Sequence, residues 1–227
     1  MSDKKKNVKN IFDDIAYRYD LLNHLLSLGV DYSWRKKALK LSSLNYHSIL
    51  LDVACGTGDF AAEAYKLGVN EIFGGDISHN MLKLFSKKSG WSKGKTVQMA
   101  AENMPFKANS FTNITVAFGV RNFFDIQKGF QSFFDLLKAK GKVTILEFSL
   151  PSNPIIRILY KFYFKKILPL IGGIISGNKK AYQYLPDSVE EFDENINLPN
   201  LLKSVGFTDI KTHKLTLGIV QVVVATK

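Results

Sequence analysis

Apolar residues recur at three- and four-residue steps through residues 8–43: Val8, Ile11, Phe12, Ile15 and Tyr19, then Leu21, Leu22, Leu25 and Leu26. That spacing is helical. Gly29 interrupts it, and Tyr32 to Leu44 reads as a second helix. The period then changes. Ile49 to Val53 is a short apolar run ahead of a glycine-rich turn, which predicts a buried parallel strand feeding a helix. Glu71 to Asp76 predicts a second strand, and Ser78 caps a helix that runs to about Lys88. Thr96–Ala100 and Phe111–Phe118 predict the third and fourth strands, Ile126–Lys138 a helix, and Gly141–Phe148 the fifth strand. Thr208–Leu215 and Ile219–Ala225 read as two closing strands joined tightly near Gly218.

Strand and helix alternating in this way call for right-handed crossovers and a mostly parallel sheet. The last two strands are joined too closely for a crossover, so they pair antiparallel. The expected architecture is α/β: a doubly wound, Rossmann-like, mostly parallel seven-stranded sheet with an antiparallel terminal hairpin and a helical cap. All 227 residues suit one domain. Its expected parts are a helical arm (1–45), a ligand-binding core (46–150), a cap segment (151–205) and the closing hairpin (206–227).

Composition narrows this reading. Hydrophobic residues make up 46% and charged residues 22%, which excludes a disordered chain. The single Cys cannot form an internal disulfide, and the four His show no ligand spacing, so no metal is expected. Met1 to Asn10 is polar and Lys-rich with no apolar run behind it, so the expected location is cytoplasmic. The formal charge of +11 invites nucleic acid or an anionic membrane as partner. Part of it is local, because Phe148 to Pro186 contains no Asp or Glu but includes Arg157, Lys161, Lys165, Lys166, Lys179 and Lys180.

The chemistry concentrates at Asp52-Val53-Ala54-Cys55-Gly56-Thr57-Gly58-Asp59-Phe60-Ala61, where a strand ends and a helix begins. Gly56, Gly58 and Ala61 match the dinucleotide fingerprint, and Asp76 lies at the distance expected of a ribose ligand. Two features favour S-adenosylmethionine (SAM) over a nicotinamide dinucleotide, which stays as the alternative. Asp52 can face the methionine ammonium but would repel a pyrophosphate, and the closing antiparallel hairpin is unlike the usual dinucleotide fold. Asp76, followed by Ile77, offers two carboxylate oxygens to the ribose hydroxyls. Ala100 and Ala101 end the third strand, where a backbone N–H can meet the adenine edge and Met104 or Phe106 can pack nearby; the bland reading makes them core and turn residues.

Several segments, in order over nearly the whole chain, resemble the ubiquinone/menaquinone biosynthesis C-methyltransferases, class I SAM-dependent enzymes. They are Phe12-Asp13-Asp14-Ile15-Ala16 with Arg18-Tyr19-Asp20 and Asn23; Leu51-Asp52 through Asp59; Gly75-Asp76 with Asn80-Met81-Leu82; Pro105-Phe106; and Phe118-Gly119-Val120-Arg121-Asn122. Further along come Leu146-Glu147-Phe148-Ser149, Tyr182-Gln183-Tyr184-Leu185 with Ser188-Val189, Gly206-Phe207, and Leu215-Thr216 with Gly218. The glycine loop is shared by most SAM methyltransferases, whereas the Gly-Val-Arg-Asn, Tyr-x-Tyr-Leu and Tyr-Asp-x-x-Asn elements are more specific. The resemblance implies SAM binding through Thr57, Asp76 and the Ala100-Ala101 pair. It also exposes two departures: Ala100 stands where the family usually has Asp or Asn, and Ala117 where some relatives have Ser.

The resemblance further implies methyl transfer to a ring carbon of a reduced polyprenyl quinone. A hydroquinone that loses a phenolic proton gains carbon nucleophilicity, so the protein must orient the ring and stabilise its oxyanion. Arg121, directly after the fourth strand, is the expected stabiliser, with Asn122 donating beside it and Tyr182 or Tyr19 as further hydrogen-bonding candidates. The partners this implies are a polyprenyl quinol, an anionic membrane surface met peripherally, and no nucleic acid; a homo-oligomer stays open. An RNA methyltransferase is the enzymatic rival, weakened because the sole cysteine, Cys55, is committed to the glycine loop. A basic, membrane-attached binding protein with a degenerate SAM fold is the non-enzymatic one. The stretch Tyr160 to Gly172 looks more like the menaquinone-type members of the family, which implies demethylmenaquinol rather than the ubiquinone-pathway benzoquinol.

Overall fold

The computed structural model describes residues 3–170 and 179–227, apart from the side chains of residues 3–8, 18, 22, 26 and 179–183. Two helices lead the chain, α1 (Asp3–Leu26) and α2 (Val30–Leu41). The strands are β1 (Ile49–Val53), β2 (Glu71–Asp76), β3 (Thr96–Gln98), β4 (Phe111–Ala117), β5 (Leu137–Phe148), β6 (Thr208–Leu215) and β7 (Val220–Thr226). Between them lie α3 (Asp59–Lys66), α4 (His79–Lys88), α5 (Ile126–Leu136), α6 (Pro154–Phe162), α7 (Lys179–Asn195) and α8 (Leu198–Val205). The sheet has the order β3-β2-β1-β4-β5-β7-β6. β1 to β5 pair in parallel, and β7 is antiparallel to both β5 and β6. The seven-stranded α/β sheet with an antiparallel terminal hairpin is therefore the one expected.

Adjacent residues of a strand face opposite sides, and the core divides accordingly. Leu51 joins Ile114, Val116, Phe130, Phe133 and Phe207 on one face of the sheet. Leu50 joins Trp34, Leu39, Phe60 and Phe85 on the other. A third cluster, outside the sheet layers, unites Ile15 of α1, Leu150, Tyr160 of α6, Phe164, Leu168 and Val189 of α7. It holds the arm and the residues after β5 together over one end of the sheet.

Several boundaries differ from the sequence expectation: α2 runs Val30–Leu41 rather than Tyr32–Leu44, and two others have a clear cause. β3 stops at Gln98 rather than Ala100, because Ala100 instead turns back to bridge Asn103. α5 stops at Leu136, and β5 starts at once. Phe111 already pairs with Leu137, after which the register jumps to Asn113–Lys142. Sheet pairing thus claims residues whose local preference is helical. Ser78 caps α4 as expected, its hydroxyl accepting the Met81 N–H at 3.1 Å.

Gly58 opens α3 with φ +87°, and a Cβ there would lie 2.2 Å from the Phe85 ring. Gly58→Ala is expected to cost about 2–4 kcal/mol, combining left-handed strain with overpacking. Urea unfolding at constant slope checks it; an unchanged midpoint would show that Phe85 moves aside freely.

Candidate active site

The carboxyl ends of the parallel strands meet under α1, where open α/β sheets hold ligands. Two non-glycine residues here adopt left-handed backbone, Ala54 (φ +51°) after β1 and Phe118 (φ +56°) after β4. Gly119 lies so near Ala54 that a Cβ on it would come within 2.6 Å of the Ala54 Cβ. Such strain persists where surroundings enforce it, as around ligand sites.

A cleft at this point is lined by Gly56, Asp76, Ile77, Ala100, Ala101, Ala117 and Asn122, all expected from the sequence, together with Phe12, Tyr19, Glu102 and Phe118. Asp76 is buried, and each oxygen accepts one backbone N–H: Oδ2 from Gly56 at 2.9 Å and Oδ1 from Ser78 at 2.8 Å. Each oxygen keeps a lone pair. Burial pushes the Asp76 carboxyl up to about 6 despite these amides.

Three expected residues lie behind this wall. The Asp52 side chain is wholly buried, and its Oδ1 accepts the hydroxyl of Thr115 at 2.8 Å, its register partner on β4. Burial pushes Asp52 up to about 7, only partly offset by Thr115 and the Arg35 charge. Thr57 turns its hydroxyl to Asp20 of α1, and Gly58 packs on Phe85. These two fasten the glycine loop to its neighbours. Tyr182 belongs to α7 by its backbone, but its side chain lies outside the described residues.

Beside the cleft lies a second cavity of about 380 Å³, and Phe12, Tyr19 and Phe118 line both. Its other walls are mostly aromatic and aliphatic, including Ile15, Trp34, Phe148, Tyr160, Phe164 and Leu168. Among the described residues it carries the buried Asp31–Arg35 pair and Arg121, whose side chain is 5% exposed and whose Nη1 donates to Glu147 Oε1 at 2.8 Å. Nη1 also donates to the Phe118 carbonyl and Nε to Ser188 Oγ, while Nη2 has no partner among the described residues. Burial raises the Tyr19 phenol, with Arg121 opposing. Asn122 accepts the Tyr184 hydroxyl at 2.8 Å, a bond that ties a residue of the cleft to one of the aromatic cavity.

The sequence reading gave no role to Glu147 or Tyr184. Glu147 is 0% exposed at the end of β5; its signals in the sequence are a lone acid inside the apolar run Ile145-Leu146-Glu147-Phe148 and its place in the Leu146-Glu147-Phe148-Ser149 segment of the resemblance. Among the described residues, no cluster of three or more His, Cys, Asp or Glu is arranged to hold a metal.

The whole chain, residues 1–227, matches the sequence profile of the ubiE/COQ5 methyltransferase family. The chain belongs to that family. It is 44% identical over 233 residues to the ubiquinone/menaquinone biosynthesis C-methyltransferase UbiE of Citrifermentans bemidjiense, covering 100% of this chain and 99% of that protein. It is 40% identical to the demethylmenaquinone methyltransferase of Chlorobaculum parvum over 98% of this chain and 93% of the relative. Among solved structures, a SAM-dependent methyltransferase of Thermotoga maritima superposes with a TM-score of 0.64 at 16% identity, covering 96% of this chain and 99% of the other. One from Methanococcus maripaludis superposes at 0.63 and 18%, covering 95% and 94%. This family member is therefore a SAM-dependent methyltransferase with the class I fold. The cleft fits SAM: Asp76 presents two oxygens with unused lone pairs, and Ala100, Ala101 and Ala117 leave space with no competing polar side chain. At Ala100 and Ala117 only backbone groups remain for polar contact.

Proposed function

We propose that this enzyme methylates a ring carbon of a polyprenyl hydroquinone, converting demethylmenaquinol to menaquinol. One observation carries the reading: an aromatic cavity with a buried arginine on its wall adjoins the SAM cleft through Phe12, Tyr19 and Phe118. When bound, SAM supplies the electrophilic methyl group. Asp76 holds the ribose side of the cleft, and the amides near Ala100 and Ala101 hold the adenine side. In the cavity, the aromatic walls take the quinol ring and the first isoprenoid units. Arg121, oriented by Glu147, offers Nη2 to the ring oxygen and favours its anionic form, which places nucleophilic character on the adjacent carbon. Asn122, braced by Tyr184, sits where the two spaces meet. Phe12 and Tyr19 of α1, with Tyr160, Phe164 and Leu168 beyond β5, wall these spaces and keep water from the transfer.

The tail of such a substrate resides in a bilayer, and no described helix is long and apolar enough to cross one. The enzyme therefore meets an anionic membrane surface peripherally. Quinones extracted from cells lacking the protein test the reading. A species one methyl lighter than menaquinone, lost again on complementation, is the expected result. Accumulation of a demethyl benzoquinone would redirect the substrate assignment, and an unchanged quinone pool would overturn it.

A further inference from the structure

Helix α6 is apolar on both sides. Its inner face puts Tyr160 into the third core cluster, and the turn that follows sends Tyr163, Phe164 and Leu168 to the wall of the aromatic cavity. Its outer face carries Ile155 (69% exposed), Ile158 (69%), Leu159 (64%) and Phe162 (60%). Helical spacing sets these four on one stripe. A helix apolar all round is stable where both faces are covered, and contiguous exposed apolar patches mark interaction surfaces.

The surroundings of the stripe say what covers it. Arg157, Lys161 and Lys165 recur every four residues along its flank, Lys166 follows, and no Asp or Glu occurs from Phe148 to Pro186. Lys161 and Lys165 share one carboxylate, Glu190 of α7, and Asp187 and Glu194 of the same helix also act on Lys165, so the cations without an ion pair among the described residues are Arg157 and Lys166. Charge attracts, but the outward surface of α6 is hydrocarbon. The inward Tyr160 of α6 lines the aromatic cavity. Leu28 is 83% exposed, and both it and the exposed Val30 line that cavity, which places its mouth at an apolar rim.

We propose that the outward face of α6 inserts into the acyl boundary of an anionic phospholipid leaflet and sets the mouth of the aromatic cavity against the membrane, so that a long-chain quinol enters without crossing water. This rests on the quinol reading above. An amphipathic or apolar helix lying in the interface binds by buried apolar area together with attraction to anionic lipid.

The test is the double variant Ile158→Ser with Phe162→Ser in the full chain. Neither residue lines the cavity, and both are exposed, so the fold is kept. Sedimentation with phosphatidylglycerol/phosphatidylethanolamine vesicles is measured at low and high salt without any quinol. The wild type is expected to retain a salt-resistant bound fraction, and the variant to lose it, with binding weakened about tenfold or more. Turnover is then compared on vesicle-embedded long-chain quinol and on a water-soluble short-chain analogue. The variant should fall about tenfold on the first and match wild type on the second. Equal pelleting of both proteins, or equal turnover of embedded quinol, overturns insertion. So does a wild-type dimer in light scattering that the substitutions disperse while vesicles bind neither form, since a second copy then covers the stripe. Failure of the short-chain analogue in both proteins strikes the quinol reading instead, and the vesicle result still decides the inference.

Discussion

Asp76→Ala is expected to weaken SAM binding by about 10²–10⁴-fold, read by isothermal titration on a variant that still folds. The estimate comes from two charge-assisted hydrogen bonds, each worth about 1.5–3 kcal/mol, with about 1.4 kcal/mol per tenfold. The structure shows why the carboxylate is ready for them: the Gly56 and Ser78 amides fix its orientation and occupy one lone pair on each oxygen. The same geometry fixes a pH dependence. Burial raises the Asp76 carboxyl from its ordinary 3.8 to about 6 in the folded protein. The unfolded chain therefore holds fewer protons than the folded one between these values, and ligand-free stability falls as pH rises from about 4 to about 6, by roughly 3 kcal/mol for a shift of about two units. Ligand binding needs the ionised form, so SAM affinity should fall as pH drops below about 6. Asp76→Asn should flatten the affinity trend and remove only the Asp76 share of the stability slope, because the buried Asp52, raised to about 7, contributes a slope of the same sign. Wild-type affinity in the Ala variant, or an affinity slope that survives in the Asn variant, would remove Asp76 from the ribose.

The sheet was legible because its strands are apolar runs with little else they can be. Leu50-Leu51 and Val222-Val223 must be buried on both faces, and only a central strand offers that. Boundaries were less legible where the sheet outweighed local preference, as at Leu137 and Lys138, expected in the helix but lying in β5, with Leu137 paired to Phe111. The wall of the SAM cleft was readable for a topological reason: Gly56, Asp76, Ala100 and Ala117 each end or follow a parallel strand, and such ends converge. Side-chain direction was not readable. Asp52 and Asp76 both sit near strand ends, yet one faces Thr115 inside the sheet and the other faces the cleft. The aromatic cavity was least readable of all. It is assembled from α1, α2, the ends of β4 and β5, and the residues after α6, which only the tertiary fold brings together.

Arg121 is expected to matter for turnover rather than for SAM binding, but Arg121→Ala is the wrong probe. Its partner Glu147 is fully buried, and removing one member of a buried pair leaves an uncompensated charge at a cost of about 3–5 kcal/mol. Loss of activity in that variant would report unfolding as readily as chemistry. Arg121→Lys keeps a cation beside Glu147 while removing the planar fork whose Nη2 is unpaired at the cavity. It should retain SAM affinity, melt within a few degrees of wild type and lose about 10²–10³ in kcat, the usual effect of deleting an oxyanion donor. The double variant Arg121→Gln with Glu147→Gln removes both charges together, so it should fold better than Arg121→Ala and be as inactive as Arg121→Lys. Glu147→Gln alone leaves the guanidinium in place but loosely held, and should lose less in kcat than Arg121→Lys does. A positioning role for Glu147 and a charge-stabilising role for Arg121 require that order. If Arg121→Lys turns over quinol at the wild-type rate, the cation at Glu147 is structural and the ring oxygen finds its partner elsewhere in the cavity.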